Sequence, residues 1–125
     1  MSTQHTSIVL AAAAVMVLAG PVAALAHAHL VRAVPAAGGT VSTTPSEVTL
    51  RFNEKLERAF SSVVVRDAAG KQVDKGDAAV DRNDRTIMRV MLQQPLEPGV
   101  YKVEWRAVSA DTHKVNGDFT FTVGE

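Results

Sequence analysis

The chain has 125 residues, with 13 Lys and Arg, 13 Asp and Glu, four His and no Cys. This length predicts a single domain, and the absence of cysteine excludes disulfide bonds. A formal net charge of zero and an aromatic content of 5% argue against a nucleic-acid-binding protein, which needs a basic surface or a platform of stacking rings.

The amino-terminal region has the pattern of a secretory signal peptide. No charged residue precedes Arg32, and an unbroken run of 12 apolar residues covers Ile8–Ala19. The run is too short to cross a bilayer, which takes roughly 20 residues, and Gly20, Pro21 and small residues follow it. We therefore predict a cleaved signal peptide over residues 1–26 and a mature, exported domain over residues 27–125 that contains no membrane span.

Two cleavage positions fit the small-x-small pattern that signal peptidases recognise. Cleavage after the triplet Ala24–Ala26 would leave His27 first, and cleavage after Ala26–Ala28 would leave His29 first. The second triplet contains a histidine, which makes it less suited to cleavage. Under either alternative the mature chain begins with a histidine.

Downstream of the leader, alternating apolar and polar residues predict β-strands. Turn signals rich in Gly and Pro separate them, as at Pro35–Gly39 and Pro95–Gly99. Short strands at this spacing predict an all-β fold, an antiparallel sandwich or small barrel of about seven strands, with Trp105 in its core and one short helical turn within Asn53–Phe60. The predicted strands are Leu30–Val34, Val48–Phe52, Val63–Val65, Thr86–Leu92, Tyr101–Ala107 and Phe119–Val123, with Val73 or Val80 on a further strand.

The mature chain start has the donors of a copper site. A first residue His27 offers a free amine and an imidazole, which together chelate one metal ion, and nitrogen donors in a plane suit Cu(II). An alternative geometry uses His27-Ala28-His29, in which the amine, two deprotonated backbone amides and the His29 imidazole wrap around Cu(II) or Ni(II). The two geometries exclude each other around a single ion.

Asp111 and His113 are candidates for the remaining donors. On an extended segment, residues two apart point the same way, so a carboxylate and an imidazole would complete a four-donor set with His27. Spacing alone, however, favours a plainer interpretation: an aspartate in a local turn with a solvated histidine nearby.

Three segments resemble the CopC-type periplasmic copper-resistance family. They are His27–Gly38, Arg51–Leu56, and Gly99–His113 followed by Gly117 and Phe119–Phe121. The resemblance implies a Greek-key, cupredoxin-like (Ig-like) β-sandwich in the periplasm that carries one Cu(II) ion per chain.

The resemblance also implies which residues bind the ion. His27, as the first mature residue, would supply its amine and ring, with Asp111 and His113 completing the site. Glu54 matches a carboxylate that lies behind the site in this family, although a surface charge beside Lys55 is the alternative. His29 has no required role in the family, so we expect it behind the site or in solvent.

The chain departs from family members that bind Cu(I) through a methionine-rich loop. Only Met88 and Met91 follow the leader, and a spacing of three on a strand directs them to opposite faces. We therefore expect packing roles for both methionines and a site for Cu(II) only.

The function predicted from the sequence is a monomeric copper carrier or buffer, not an enzyme. By analogy with related systems, it would deliver copper to a copper-transporting inner-membrane protein. One alternative is an oxidative enzyme that holds copper in an N-terminal histidine brace, but Asp111 would fill a position that such an enzyme keeps open. Another alternative is an Ig-like interaction module that binds no metal.

Overall fold

The computed structural model describes residues 28–125, so the predicted signal peptide and His27 lie outside the described residues. The described part forms eight strands and no helix, and nothing in it is long and apolar enough to serve as a membrane-spanning helix. The strands are β1 (Leu30–Val34), β2 (Thr40–Val41), β3 (Glu47–Phe52), β4 (Ser62–Arg66), β5 (Ala79–Val80), β6 (Ile87–Met91), β7 (Gly99–Val108) and β8 (Lys114–Val123).

The strands form two four-stranded sheets, with the orders β1-β3-β6-β5 and β2-β8-β7-β4. All pairs are antiparallel except β2 with β8. The predicted β-sandwich is therefore confirmed. There are eight strands instead of about seven, because the two-residue strand β2 was not among the predicted strands. The further strand that was predicted at Val73 or Val80 is β5, which includes Val80, whereas the buried Val73 lies outside the named strands.

Alternation along each strand builds the core between the sheets. In β3, Val48, Leu50 and Phe52 are buried, whereas Arg51 faces solvent. Such burial contributes roughly 1.5–3 kcal/mol for each large apolar side chain. Across the core, the Phe52 ring meets the half-buried Trp105 ring edge-on, with centroids 5.1 Å apart, as predicted for a core tryptophan.

The longest feature is a hairpin of β7 and β8. Ten residue pairs run from Gly99 opposite Val123 to Val108 opposite Lys114. The hairpin therefore projects its connecting turn, residues 109–113, at the end of the sandwich opposite to Gly99. At this same end, Leu30 at the start of β1 pairs with Phe52 at the end of β3.

The segment that follows β3 contains no helix. Its only helix-like feature is a single turn at its end, where Phe60 N and Ser61 N both donate to the Glu57 carbonyl, at 3.3 and 3.1 Å. The remainder runs beside the β7–β8 turn through a bridge between Leu56 and Ser109. The predicted short helical turn is thus present as one hydrogen-bonded turn from Glu57 to Ser61.

Candidate metal centre

The β7–β8 turn brings Asp111 and His113 together. Thr112 N donates to the Ser109 carbonyl at 2.8 Å, Ser109 N donates to the His113 carbonyl at 3.0 Å, and Thr112 has a φ of 69°. The expectation that Asp111 and His113 lie on an extended segment is therefore wrong. Their side chains converge because the backbone folds back on itself, and a non-glycine residue in the left-handed region accomplishes the reversal.

The Asp111 carboxylate and the His113 imidazole are in direct contact. Nδ1 of His113 lies 3.0 Å from Oδ2 of Asp111, and both side chains are about two-fifths exposed, at 38% and 41%. The second oxygen of Asp111, Oδ1, accepts a hydrogen bond from Ser109 Oγ. The two carboxylate oxygens thus have separate neighbours.

This environment keeps Asp111 ionised. The hydrogen bond from Ser109 lowers the pKa of Asp111 below its ordinary value of 3.8, and His113 lowers it further through side-chain and backbone contacts. An ionised carboxylate beside an imidazole is a pair of donors that divalent copper accepts. Ser109 itself is buried, with 1% of its surface exposed, so its hydroxyl is held firmly in place.

Residues 53–57 form hydrogen bonds both with the β7–β8 hairpin near its turn and with the start of the described chain at His29. The Lys55 carbonyl accepts a hydrogen bond from Ala110 N at 3.1 Å, and Glu57 N donates to the Val108 carbonyl at 2.7 Å. At the other end of this segment, Asn53 Oδ1 accepts from His29 N at 2.6 Å, and Asn53 N donates to the His29 carbonyl at 3.1 Å. We call residues 53–57 the support segment.

The remaining predicted site residues lie around this segment. Glu54 is half-buried between Asn53 and Lys55, on the support segment itself. His29 is exposed and is bound to Asn53 through its backbone. Among residues 28–125, no group of three or more His, Cys, Asp or Glu side chains is arranged to hold a metal ion. The predicted ligand His27 precedes the described residues.

The two methionines of the domain face opposite sides of β6, as predicted. Met88 is fully buried in the core, whereas Met91 is half-buried on the other face. Met88 contributes to the main hydrophobic cluster. The predicted packing role is therefore confirmed for Met88.

Sequence reasoning did not identify Asn53, the Lys55 carbonyl or Ser109 as parts of the site. The Asn53 side chain and backbone and the Lys55 carbonyl contact residues far away in the chain, and no local pattern encodes such contacts. Ser109 stands two residues before Asp111, and hydroxyl side chains bond locally at such spacings. This spacing is the one feature of the sequence that could have indicated the role of Ser109.

The sequence matches a protein-family model and is similar to several named proteins. The CopC domain family model matches residues 30–124. Copper resistance protein C from Pseudomonas syringae pv. tomato is 38% identical over 109 residues, which cover 82% of this chain and 86% of that protein. Copper transport protein CutJ from Bacillus subtilis (strain 168) is 34% identical over 105 residues, or 84% of this chain; the match spans only 19% of CutJ.

A solved structure is similar to the fold as well as to the sequence. The crystal structure of PcoC, described as a methionine-rich copper resistance protein from Escherichia coli, superposes with a TM-score of 0.69 at 36% sequence identity. The superposition covers 78% of this chain and 99% of PcoC.

Proposed function

Since the chain belongs to the CopC domain family, we propose that it is an exported periplasmic copper-binding protein of copper resistance or homeostasis. Cleavage after Ala26 makes His27 the first residue. One Cu(II) ion is then held by the amine and imidazole of His27, by Asp111 and by His113. The observation that carries the proposal is the contact between the Asp111 carboxylate and the His113 imidazole.

The spacing of these two donors suits adjacent ligands of one ion. Two ligand atoms bound about 2 Å from a metal at neighbouring corners of a square lie about 2.8 Å apart. In the structure, the Nδ1–Oδ2 separation is 3.0 Å. The separation of the pair is therefore close to that of adjacent ligands in the tetragonal geometry that Cu(II) prefers.

In this proposal, the chain start supplies the other two donors. Residues 28–125 supply no third His, Cys, Asp or Glu side chain close enough to join Asp111 and His113 around an ion. The support segment bonds to both His29 and Ala110, so the start of the described chain lies beside the β7–β8 turn. In the proposed site, His27, two residues before His29, supplies its amine and imidazole nitrogens.

The proposed metal is Cu(II), without a site for Cu(I). Cu(I) prefers soft thioether donors. The domain contains two methionines, and they face opposite sides of β6, with Met88 in the core. PcoC, which is described as methionine-rich, differs from this chain in that respect.

The proposed role is copper carriage, with no catalytic step. A copper oxidase keeps an equatorial position open for oxygen, and the Asp111 carboxylate would fill that position here. The recipient we propose is a copper-transporting inner-membrane protein. In CutJ, which is named as a copper transport protein, a region similar to this domain is part of one longer chain.

The test compares two forms of the mature chain. One form begins at His27 after secretion, as verified by intact mass, and the other has one additional Gly before His27. The extra residue turns the amine into an amide, so the Cu(II) affinity should fall by more than about a hundredfold. A fall of this size exceeds the roughly 10- to 100-fold loss that follows when a residue that only orients a ligand is removed. Cu(II) competition titration measures this, and electron paramagnetic resonance counts the nitrogen ligands.

Removal of the extra Gly by a protease provides the matched control, because it regenerates His27 as the first residue and should restore the affinity. Equal affinity of the two forms would contradict the proposed site. Sustained peroxide formation with ascorbate and oxygen would contradict the carrier role. Thermal stability unchanged by Cu(II) would instead favour a module that binds no metal, because a tightly bound ligand raises the free energy of unfolding.

A further inference from the structure

Asn53 holds the backbone at the start of the described chain. Its Oδ1 accepts a hydrogen bond from His29 N at 2.6 Å, and its N–H donates to the His29 carbonyl at 3.1 Å. The two bonds engage both backbone polar groups of His29 and therefore fix its orientation. The preceding residue, Ala28, is fully buried against the core.

This attachment lies next to an irregularity in the ladder between β1 and β3. Leu30 pairs with Phe52, but the register shifts before Arg32 pairs with Arg51. The extra residue, Val31, is 62% exposed. Asn53 extends the pairing by one residue beyond the irregularity, and its side chain makes a bond to His29 that a smaller residue at this position would lack.

The support segment also contacts the β7–β8 turn, which carries the proposed ligands Asp111 and His113. Two residues after Asn53, the Lys55 carbonyl accepts the hydrogen bond from Ala110 N, and Leu56 bridges Ser109. A few consecutive residues therefore determine how far His29 lies from the turn that carries Asp111 and His113.

We propose that Asn53 is a positioning residue for the copper site, acting on His27 through the His29 backbone. The inference rests on the proposed function, because it concerns the donors of the same site. By immobilising His29, Asn53 reduces the conformational freedom that the proposed donor His27 must lose when copper binds. Such ordering before binding raises affinity without adding a metal ligand.

The first experiment uses the mature protein with Asn53→Ala. The backbone bond from residue 53 to the His29 carbonyl remains, so the chain start is loosened and not detached. In the metal-free protein, hydrogen exchange at the His29 amide should accelerate. Cu(II) affinity should fall by about tenfold, in the range for loss of an outer-sphere partner, and the paramagnetic resonance spectrum should change.

The matched control is Asn116→Ala, which removes an exposed asparagine from β8. It should leave the His29 amide exchange, the Cu(II) affinity and the spectrum unchanged. An Asn53→Ala variant with the same affinity and spectrum as the control would overturn the inference.

A double-mutant cycle tests whether Asn53 acts through the terminal residue. In the form with one additional Gly before His27, the amine is already lost and only the ring remains as a donor of that residue, so Asn53→Ala should reduce Cu(II) affinity by a smaller factor than in the parent chain. An equal loss in both forms would mean that Asn53 acts elsewhere and would overturn the inference. If the additional Gly has no effect in the parent chain, the proposed function fails; if Gly weakens binding and Asn53→Ala does not, only the role of Asn53 fails.

Asn53→Asp retains the acceptor oxygen and provides a second variant in case the Ala variant does not fold. Slow exchange of the His29 amide should persist in Asn53→Asp. Exchange there as fast as in an unstructured peptide would contradict the assignment of Oδ1 as the group that holds His29.

Discussion

Gly117 lies opposite Trp105 on paired strands β8 and β7, and the indole ring occupies the space that a side chain at position 117 would need. A Cβ at this position would approach three ring atoms to less than 3.0 Å. Trp105 in turn packs edge-on against Phe52 of the other sheet. The absence of a side chain at position 117 therefore permits a contact that joins the two sheets.

Gly117→Ala should destabilise the domain, because the ring must move from its packed position. Overpacking of this kind costs about 1–3 kcal/mol, which urea unfolding would measure. Gly124→Ala is the matched control, since a Cβ there meets its nearest atom at an ordinary 3.5 Å. Equal unfolding midpoints for the two variants would contradict the assigned role of Gly117.

His113→Ala should weaken Cu(II) binding by more than about a hundredfold, because it removes a proposed ligand. His29→Ala should change the affinity by less than about threefold, since the contacts of His29 with Asn53 use its backbone and a peripheral group contributes little. Competition titration of both variants gives the ranking. The reverse ranking would favour the alternative wrap through His27, Ala28 and His29.

Ser109→Ala should weaken Cu(II) binding by about tenfold, the cost of losing a group that orients a ligand. The hydroxyl donates to Oδ1 of Asp111 and helps to direct Oδ2 towards His113. Ser62→Ala, at an exposed position on β4, is the control. Titration of both proteins measures the effect, and identical affinities would exclude the proposed orienting role.

Asp81 should contribute to the pH dependence of stability. A hydrogen bond from Arg89, followed by backbone hydrogen bonds from Asn83 and Asp84, lowers the pKa of Asp81 from 3.8 to about 2. Because the pKa is lower in the folded chain, the stabilisation is present above pH 4 and disappears as pH falls from about 4 to 2.

Urea unfolding of Asp81→Asn and the wild-type protein tests this expectation. The variant should be less stable at pH 7, and the difference should shrink as the pH approaches 2. Arg89→Gln removes the main partner and should give a similar profile. A difference between Asp81→Asn and wild type that is the same at pH 7 and pH 2 would contradict the assignment.

Asp74 should be important for folding although it lies far from the proposed copper site. It is 4% exposed, and its carboxylate accepts hydrogen bonds from Val65 N and Gly76 N, each at 2.8 Å, and from Gln72 Nε2 at 3.0 Å. Asp74→Ala leaves these donors without their acceptor, at about 1–3 kcal/mol for each donor that stays buried. Thermal unfolding measures the loss, and Asp118→Ala, at an exposed position on β8, should cost far less.

The sandwich was predictable because its strands alternate clearly. Val48, Leu50 and Phe52 indicate a buried face from the sequence alone, and the structure buries all three. Thr40–Val41 was not identified, because two residues have no detectable period and their parallel pairing with β8 depends on contacts with the far end of the chain.

For the candidate site, the proximity of Asp111 and His113 was predicted on an extended segment, which is wrong, whereas the alternative of an aspartate in a local turn matches the observed backbone. An extended segment and a tight turn with Thr112 in the left-handed region both bring the two side chains together. The support from Asn53 and Lys55 was not predictable, because its hydrogen bonds, one to the Asn53 side chain and the others between backbone groups, join residues that are 24 and 55 positions apart in the chain. Residue type alone does not specify such partners.

The length of the β7–β8 hairpin has a practical consequence for handling the protein. Val123 pairs with Gly99 at the end of the hairpin opposite to residues 109–113, and ten residues of strand span about 30 Å. A purification tag or fluorescent reporter fused after Glu125 would therefore emerge well away from Asp111 and His113. The same fusion at the amino end would remain covalently attached to the residue whose free amine we propose as a copper donor.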